Sequence, residues 1–326
     1  MKKKQMISVI IAAVLFIVIG LTGVLSAVAG NLFSKSMSQV SSMGGYPMKD
    51  YIGVVKIEGT ILYSTSPNTS FTNQNSYDHD AIKKYIKDMS EDEFNKGILL
   101  FVNSGGGSAF AGDDLYLELM DYKEKTGRPI YAYFDSIACS AAYDLSMAAD
   151  EIYANRMTTT GAIGVYSTYY DLSQLFEKYG IREVLIKSGE NKGMGSYGQE
   201  FTDEQIALVQ EEIDEMYDIF ITNVANGRKM DKAAVKKLAD GRTFTASQAL
   251  DNGLIDGICR YDEYKEMVEG YFTDKITFYE KDLSNSAFSS LMGSFKQPVE
   301  KTEEELLFEL IEVNKNRGGA YESSYR

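Results

Sequence analysis

Two hydrophobic patterns alternate along the middle of the chain. Short apolar runs predict strands, and stretches with apolar residues three or four positions apart predict helices between them. Because strands and helices follow one another in a β-α-β-α order, we expect a parallel sheet with helices on its faces. The strands are predicted over 52–57, 97–102, 129–134, 151–154 and 183–187, and the helices over 80–89, 111–125, 140–149 and 171–179.

A longer helix is predicted to begin after Thr202. Thr202 and Gln205 have the spacing of a capping box, in which each side chain accepts a hydrogen bond from the other residue's backbone. Gly227 is its expected end, because glycine commonly follows the last turn of a helix. One apolar stripe runs along this helix at helical spacing. Its members are Ile206, Val209, Ile213, Met216, Phe220 and Val224.

The first 34 residues have the pattern of a membrane anchor. Lysines at positions 2–4 precede an uncharged stretch over 5–34, whose apolar part runs from residue 6 to about residue 30. This part is long enough to cross a bilayer, which needs about 20 apolar residues. The lysines favour the cytoplasmic side, so we expect the rest of the chain outside the cytoplasm. A cleaved signal peptide is the alternative, because 27–29 (Ala-Val-Ala) fits a signal peptidase site.

The composition argues against several classes of function. A net charge of −14 argues against nucleic-acid binding, which needs a basic surface. The only histidine, His79, stands in a polar stretch and is expected in a surface loop. Cys139 and Cys259 form no zinc motif, and we expect free thiols rather than a disulfide. We therefore expect no metal site and no Ser-His-Asp triad.

Three segments carry residues that could do chemistry. The glycine-rich segment 103–108 lies between a strand and a helix, where backbone amides can bind an oxyanion or a phosphate; a tight turn is the alternative. Ser140 begins a predicted helix among small residues, and its alternative role is helix capping. The amide after Ser140, that of Ala141, could join a glycine amide in an oxyanion hole. Lys192 follows a predicted strand among glycines, and could act as a base if burial kept it neutral; a solvated charge is the alternative.

In this order, the three segments resemble the signal peptide peptidase family of membrane-bound serine peptidases. The family motifs read approximately N-S-P-G-G-G, A-S-G-G-Y-Y and K-S-G-x-x-K-x-M-G-S. This chain reads N-S-G-G-G-S at 103–108, C-S-A-A-Y-D at 139–144 and K-S-G-E-N-K-G-M-G-S at 187–196. Segments 149–165 and 241–256 are similar to two further family motifs, so the resemblance covers roughly 52–257.

The resemblance implies a fold, and the sequence pattern predicts a division of the chain. The fold would be α/β, a crotonase-like or caseinolytic-protease-like β-sheet spiral with flanking helices, preceded by one N-terminal transmembrane helix. The cytoplasmic lysines and the anchor would occupy 1–34, a linker 35–49 and the serine peptidase domain 50–285. Residues 286–326 would form a C-terminal helix, over 303–313, and a flexible tail.

The resemblance also implies the chemistry. Ser140 would attack the peptide carbonyl, and Lys192 would take the hydroxyl proton and later deliver it to the leaving amine. Gly106 or Gly107 would hold the oxyanion together with the amide of Ala141, without a cofactor. Substrates would be signal-peptide remnants or membrane-proximal peptides. Relatives assemble into homo-oligomeric rings with dyads formed between neighbouring subunits, which is the expectation here.

Several positions depart from the family pattern. Gly105 replaces a proline, Gly193 replaces a frequent acidic residue, and Asp144 stands where a second aromatic residue is usual. Ala141 and Ala142 replace two glycines beside the nucleophile, and added methyl groups restrict positive φ. Ala162 replaces a serine whose hydroxyl could help to hold the lysine, a role for which Thr159 or Thr160 could substitute.

Two other functions compete with an active peptidase. The altered motif positions would fit a membrane-bound scaffold or peptide-binding protein of the same fold. An acyl-CoA enzyme of the crotonase kind would use similar oxyanion loops, but its substrate is cytoplasmic and this body is expected outside. The tail at 320–326 could also enter an active site and be trimmed. The sequence predicts no acidic or basic substrate pocket.

Overall fold

The computed structural model describes residues 46–63, 77–281 and 283, which form a mixed α/β fold. The strands are β1 (Tyr51–Glu58), β2 (Asn95–Ser104), β3 (Ile130–Cys139), β4 (Glu151–Ala154), β5 (Thr159–Gly161), β6 (Thr243–Thr245), β7 (Gly257–Ile258) and β8 (Thr277–Glu280). The helices are α1 (His79–Glu91), α2 (Ala109–Thr126), α3 (Ala141–Leu145), α4 (Ser173–Tyr179), α5 (Asp203–Arg228), α6 (Lys232–Leu238), α7 (Ala246–Asp251) and α8 (Tyr261–Glu269). A 3₁₀ turn, Ser146–Ala148, follows α3.

The eight strands belong to one sheet whose path runs β6-β5-β3-β2-β1-β8. All pairs are parallel except β5 with β6, which confirms the predicted parallel sheet. Strand β3 pairs with β4 near its beginning and with β5 over its last three residues. The sheet therefore divides at the carboxyl end of β3, and a break in a parallel sheet at strand carboxyl ends is where α/β folds commonly bind ligands.

Helices cover both faces of the sheet. On β1, Ile52 belongs to a buried cluster with Tyr264 and Val268 of α8. The next residue, Gly53, faces Met89 of α1, because a Cβ at Gly53 would lie 2.0 Å from the Met89 sulfur. Successive residues of a strand point to opposite faces, so α1 and α8 lie on opposite sides of the sheet. This arrangement explains why nearly every residue of β1 is buried.

Helix α5 begins as predicted and is only partly covered. Thr202 and Gln205 form the expected capping box, and the helix continues through Arg228, one residue past Gly227. A Cβ on Gly227 would lie 2.6 Å from the Met147 carbonyl oxygen, so glycine here permits close packing rather than helix termination. Phe220 and Val224 are buried, whereas the amino-terminal half of the apolar stripe is exposed or half-buried.

The segment 166–200, which we call the lysine segment, contains no buried residue. The strand predicted over 183–187 is wrong, because this stretch has no regular secondary structure. Its apolar run lies on the surface, with Ile186 93% exposed. A strand needs a neighbour to satisfy its backbone groups, and no strand of the described residues pairs with this run.

His79 is buried, so its expected place in a surface loop is wrong. It is the first residue of α1 and is only 1% exposed. Its Nδ1 lies 2.6 Å from the Tyr77 hydroxyl and its Nε2 lies 2.7 Å from an Asp114 carboxylate oxygen. Both ring nitrogens are therefore satisfied, which permits a polar side chain to be buried.

The predicted anchor over 5–34, most of the linker and the whole C-terminal segment 286–326 lie outside the described residues. Among 46–63, 77–281 and 283, no helix has the length and hydrophobicity needed to cross a bilayer. The division of the chain into anchor, linker, domain and tail stays a prediction.

Candidate active site

Ser140 lies at the turn between β3 and α3 in a strained backbone conformation. Its φ of 55° and ψ of −127° fall in a region that residues with a side chain rarely adopt. The side chain makes no capping hydrogen bond to α3, so the capping role considered from the sequence is wrong. Strain at a non-glycine residue is often found at functional sites, where surrounding packing holds it in place.

Ser108 provides the contrast within the same molecule. It is the N-cap of the neighbouring helix α2, with φ of −63° and ψ of 123°, and its hydroxyl accepts a hydrogen bond from the Ala111 amide at 3.3 Å. That geometry is ordinary capping. The hydroxyl of Ser140 is not engaged in this way and remains available to a substrate.

The glycine loop packs directly against the Ser140 turn. A Cβ on Gly106 would lie 2.8 Å from both the Cys139 carbonyl oxygen and the Ser140 Cβ, and Gly106 has a φ of 100°. The Gly106 amide donates to the Ser104 hydroxyl at 3.1 Å. The loop is thus held in place through Gly106, with its next residue, Gly107, beside Ser140.

Gly107 lies against Ile61, which follows β1. The Ile61 amide donates to the Gly106 carbonyl and the Ser108 amide donates to the Ile61 carbonyl. This parallel bridge does not use the amide of Gly107 itself. Gly107, Ser140 and Ala141 all line one cavity of about 240 Å³, which we call the Ser140 pocket.

The departures at Ala141 and Ala142 are compatible with this geometry. Both residues belong to helix α3, and neither has a positive φ. The Ala141 methyl lies against Gly112 of α2, where a Cβ would approach it to 2.8 Å. The two alanines therefore require no glycine-like backbone, and the strain falls on Ser140 alone.

Cys139 does not compete with Ser140 as a nucleophile. It is buried, and burial raises the pKa of its thiol to about 11, which keeps the sulfur protonated at neutral pH. Its Sγ lies 3.6 Å from the Thr159 carbonyl oxygen. Both Cys139 and Cys259 are free thiols, as predicted.

Asp144 and Asp113 form the polar end of the Ser140 pocket. The Asn223 side-chain amide donates to an oxygen of Asp144 at 3.1 Å and to an oxygen of Asp113 at 3.3 Å. Burial raises the pKa of the Asp144 carboxyl to about 7, an effect opposed by the Asn223 hydrogen bond and increased by the charge of Asp113. An acidic pocket that the sequence did not reveal thus lies beside the nucleophile.

Strand β5 carries the threonines considered as support for the lysine. Thr160 is buried, and its hydroxyl donates to the Ala138 carbonyl at 2.6 Å. Thr159 is half-buried. Ala162, which follows β5, has a φ of 49° and lines a second cavity together with Gly105 and Ser140. Support of Lys192 by Thr159 or Thr160 stays a prediction.

Lys192 lies in the lysine segment, away from these groups. Its side chain is exposed, and its backbone amide donates to the Gly189 carbonyl at 3.1 Å. Neither of the two cavities lined by Ser140 includes it. Gly193, beside it, has a φ of 86°, and a Cβ there would lie 2.9 Å from Leu185, so the local turn accounts for glycine in place of an acidic residue.

Sequence reasoning missed several residues of the Ser140 pocket. Asp113 and Asn223 lie within long helices, and no motif distinguishes them from surface residues. Asp144 stood out only as a departure from a family pattern. Phe110, Met216 and Ile219 also line the pocket, and of these only Met216 belongs to the apolar stripe predicted along the helix.

Comparisons with known proteins agree with the motif resemblance. The profile of peptidase family S49 matches residues 122–302. The SppA protein of Enterococcus faecium, named as a candidate signal peptide peptidase, is 34% identical over 243 residues, covering 74% of this chain and 70% of that protein. Protease 4 of Haemophilus influenzae is 29% identical over 266 residues, covering 80% of this chain and 42% of that protein.

Among solved structures, a mutant of a membrane-bound stomatin-specific protease aligns with a TM-score of 0.46 and 15% identity, covering 72% of this chain and 99% of that one. The family match spans more than half of the chain, and the Enterococcus faecium relative is similar over most of both sequences. The chain therefore belongs to peptidase family S49, and the resemblance to signal peptide peptidases drawn from its motifs is confirmed.

Proposed function

We propose that this serine peptidase is an endopeptidase with a Ser/Lys dyad, in which Ser140 is the nucleophile and Lys192 the general base. The observation that carries the proposal is Ser140 itself. Its backbone is strained, its hydroxyl makes no capping bond, and it lines a cavity together with Gly107 and Ala141. That combination suits attack on a carbonyl and does not suit helix capping.

In the proposed reaction, the Ser140 oxygen attacks the peptide carbonyl carbon while the neutral Lys192 amine takes the hydroxyl proton. The oxyanion accepts hydrogen bonds from the amides of Gly107 and Ala141. Gly106 is the less suitable donor because its amide is bound to Ser104. The intermediate collapses as Lys192 protonates the leaving amine, and water, deprotonated by Lys192, then hydrolyses the acyl-enzyme.

We propose that Lys192 acts on Ser140 of a second copy of the chain. Lys192 is exposed and lines neither cavity at Ser140. The lysine segment and the amino-terminal half of α5 also expose apolar side chains, including Tyr166, Val184, Ile186 and Ile206. An exposed apolar surface of this kind favours a protein partner. A head-to-tail contact that closes on itself gives a ring, which is the proposed assembly.

The proposed substrates are signal-peptide remnants or other membrane-proximal peptides. Support comes from the motif resemblance, from the name of the Enterococcus faecium relative and from the anchor predicted at 6–30. With that anchor, the peptidase would be attached to the membrane with its body outside the cytoplasm. A β-sheet spiral of the caseinolytic-protease kind is part of the same proposal, and the division of the sheet at β3 favours it.

The test uses two inactive variants of the full-length chain. Ser140→Ala and Lys192→Ala should each abolish cleavage of fluorogenic peptides, whereas Lys187→Ala, a control five residues from Lys192, should retain it. Coexpression of the two inactive variants should restore about one quarter of wild-type activity, because in a mixed ring that fraction of contacts joins an intact serine to an intact lysine.

The possible results separate the parts of the proposal. A fully active Lys192→Ala variant would contradict the dyad. Inactive single variants without recovery on mixing would place the dyad within one chain and contradict the shared site. If the wild type cleaves no peptide and Ser140 is not labelled by a serine-hydrolase probe, the binding-protein alternative replaces the peptidase.

A further inference from the structure

The Ser140 pocket has an apolar entrance and an acidic end. Phe110, Met216 and Ile219 line it and are exposed, so they form the entrance. Asp144 lines the same pocket and is only 6% exposed, so it lies at the buried end. A substrate side chain that enters beside Ser140 therefore meets apolar groups first and carboxylates last.

The two carboxylates, of buried Asp144 and half-buried Asp113, lack a positively charged partner. One oxygen of Asp144 and one oxygen of Asp113 accept hydrogen bonds from the same Asn223 amide. The other Asp144 oxygen accepts no hydrogen bond from the described residues, and it keeps some solvent exposure, because none of their fully buried side-chain oxygens lacks a partner. No lysine or arginine of these residues pairs with Asp113 or Asp144. The other ionisable neighbour, Tyr116, adds no positive charge. A buried carboxylate such as Asp144 is costly unless it is paired, and Asp113 beside it adds negative charge, so this end of the pocket favours a cation.

We propose that the pocket binds a lysine or arginine side chain of the substrate, at the residue whose carbonyl Ser140 attacks, the P1 residue. This inference rests on the proposed function, because it takes Ser140 as the nucleophile. The methylene stem of a basic side chain matches the apolar entrance, and its charged end matches Asp144 and Asp113. The substrates would then be peptides cut after a basic residue, rather than after small apolar residues alone.

A purely structural role for Asp144 is the competing explanation. Asn223 belongs to α5, Asp113 to α2 and Asp144 to α3, so their hydrogen bonds join three helices. If these bonds only hold α5 in place, loss of the Asp144 charge would affect all substrates alike. If the charge binds substrate, its loss would affect basic substrates selectively.

The experiment compares two peptides that differ only at P1, one with lysine and one with norleucine, which has a similar linear chain without the charge. The full-length wild type should cleave the lysine peptide with kcat/KM about 10- to 100-fold above the norleucine peptide, the range for a hydrogen bond to a charged group. Asp144→Asn should bring the ratio of the two kcat/KM values close to one. Asp121→Asn, an exposed position on α2, changes the net charge equally and should leave the preference intact.

A second measurement does not depend on turnover. The Ser140→Ala chain should bind a fluorescein-labelled lysine peptide about tenfold more tightly than its norleucine counterpart by anisotropy, and Asp144→Asn should abolish the difference. Equal binding of the two peptides, or an equal fall in cleavage of both peptides in Asp144→Asn, would overturn the acidic pocket. Selective binding without any hydrolysis by the wild type would retain the pocket and reject the proposed peptidase mechanism.

Discussion

The turn that carries Ser140 and the segment that carries Lys192 are built in opposite ways. Ser140 follows a strand in the interior of the sheet, and Gly106 and Gly112 pack against the turn without space for a methyl group. The lysine segment has no buried residue, and much of its order comes from contacts within itself, such as Leu172 to Tyr197. The surroundings of the proposed nucleophile are complete within a single chain, whereas the segment of the proposed base is exposed.

If Ser140 and Lys192 act together, the proposed dyad combines a residue in a tightly packed region with one in an exposed region. Packing around Ser140 can hold a strained backbone because it is contributed by several elements of one fold. The lysine segment cannot desolvate Lys192 by itself, and a lysine acts as a base only when its neutral form is favoured. Assembly would therefore control activity by completing the surroundings of the base.

The largest effect on activity should come from Gly106→Ala, which disturbs the packing around the Ser140 turn. A side chain there disfavours the φ of 100° and would lie 2.8 Å from the Cys139 carbonyl oxygen and from the Ser140 Cβ. The displacement should remove the Gly107 amide from the oxyanion and reduce kcat about 100- to 1,000-fold, as with loss of an oxyanion donor. Steady-state cleavage of a fluorogenic peptide measures it, and assembly should be unchanged.

Gly127→Ala is the matched control, because Gly127 has a φ of 64° but no atom within 4 Å of an added Cβ. It imposes a similar backbone strain without a clash, so it should cost stability and leave kcat unchanged. If both variants lose the same activity, backbone strain in general is responsible, and the specific contact between the glycine loop and the Ser140 turn is not.

A smaller effect on activity is expected from Ile186→Asp, in the lysine segment. Ile186 is 93% exposed, so the substitution should leave the unfolding of a single chain unaffected. If a second copy covers this surface, a buried unpaired charge should dissociate the assembly and lower kcat/KM by at least about tenfold. Light scattering measures the mass of the assembly. Raising the protein concentration should partly restore activity, because it favours assembly.

Met157→Asp is the control for that prediction, because Met157 is 79% exposed and lies outside the lysine segment. It introduces the same charge at another exposed apolar side chain and should affect neither mass nor activity. Retention of full assembly and activity by Ile186→Asp would contradict the proposed place of the lysine segment at the contact between copies.

The same contrast explains what the sequence could predict. Strands such as β1 and β2 have continuous apolar runs because they are buried, and the Thr202 capping box depends on neighbours in the chain, so both were predictable. The run over 183–187 has a strand's composition, but no strand of the described residues pairs with it, and local pattern cannot reveal that. His79 was misplaced because its burial depends on Asp114, 35 residues away.

For the candidate active site, the chemical groups could be predicted from the sequence, but their surroundings could be seen only in the structure. The motif around Ser140 was recognisable, but its positive φ follows from the packing of the β3–α3 turn against Gly106. The acidic pocket could not be predicted, because Asp113, Asp144 and Asn223 come from three separate helices that converge only in the fold. Tertiary contacts of this kind leave no periodic signal in any one segment.

The smallest expected effect measures the strain itself, through Ser140→Gly and Ser108→Gly. Glycine adopts the φ of 55° at position 140 without the steric cost that serine bears, so Ser140→Gly should stabilise the fold by about 1 kcal/mol while abolishing hydrolysis. Ser108→Gly removes an ordinary cap bond and should destabilise the fold by a few tenths of a kcal/mol with activity largely retained. Denaturant unfolding of both variants gives the sign of each change in the free energy of unfolding. A destabilised Ser140→Gly variant would mean that packing of the serine side chain outweighs the backbone strain. The geometry of the turn would then depend on Ser140 itself as well as on the elements around it.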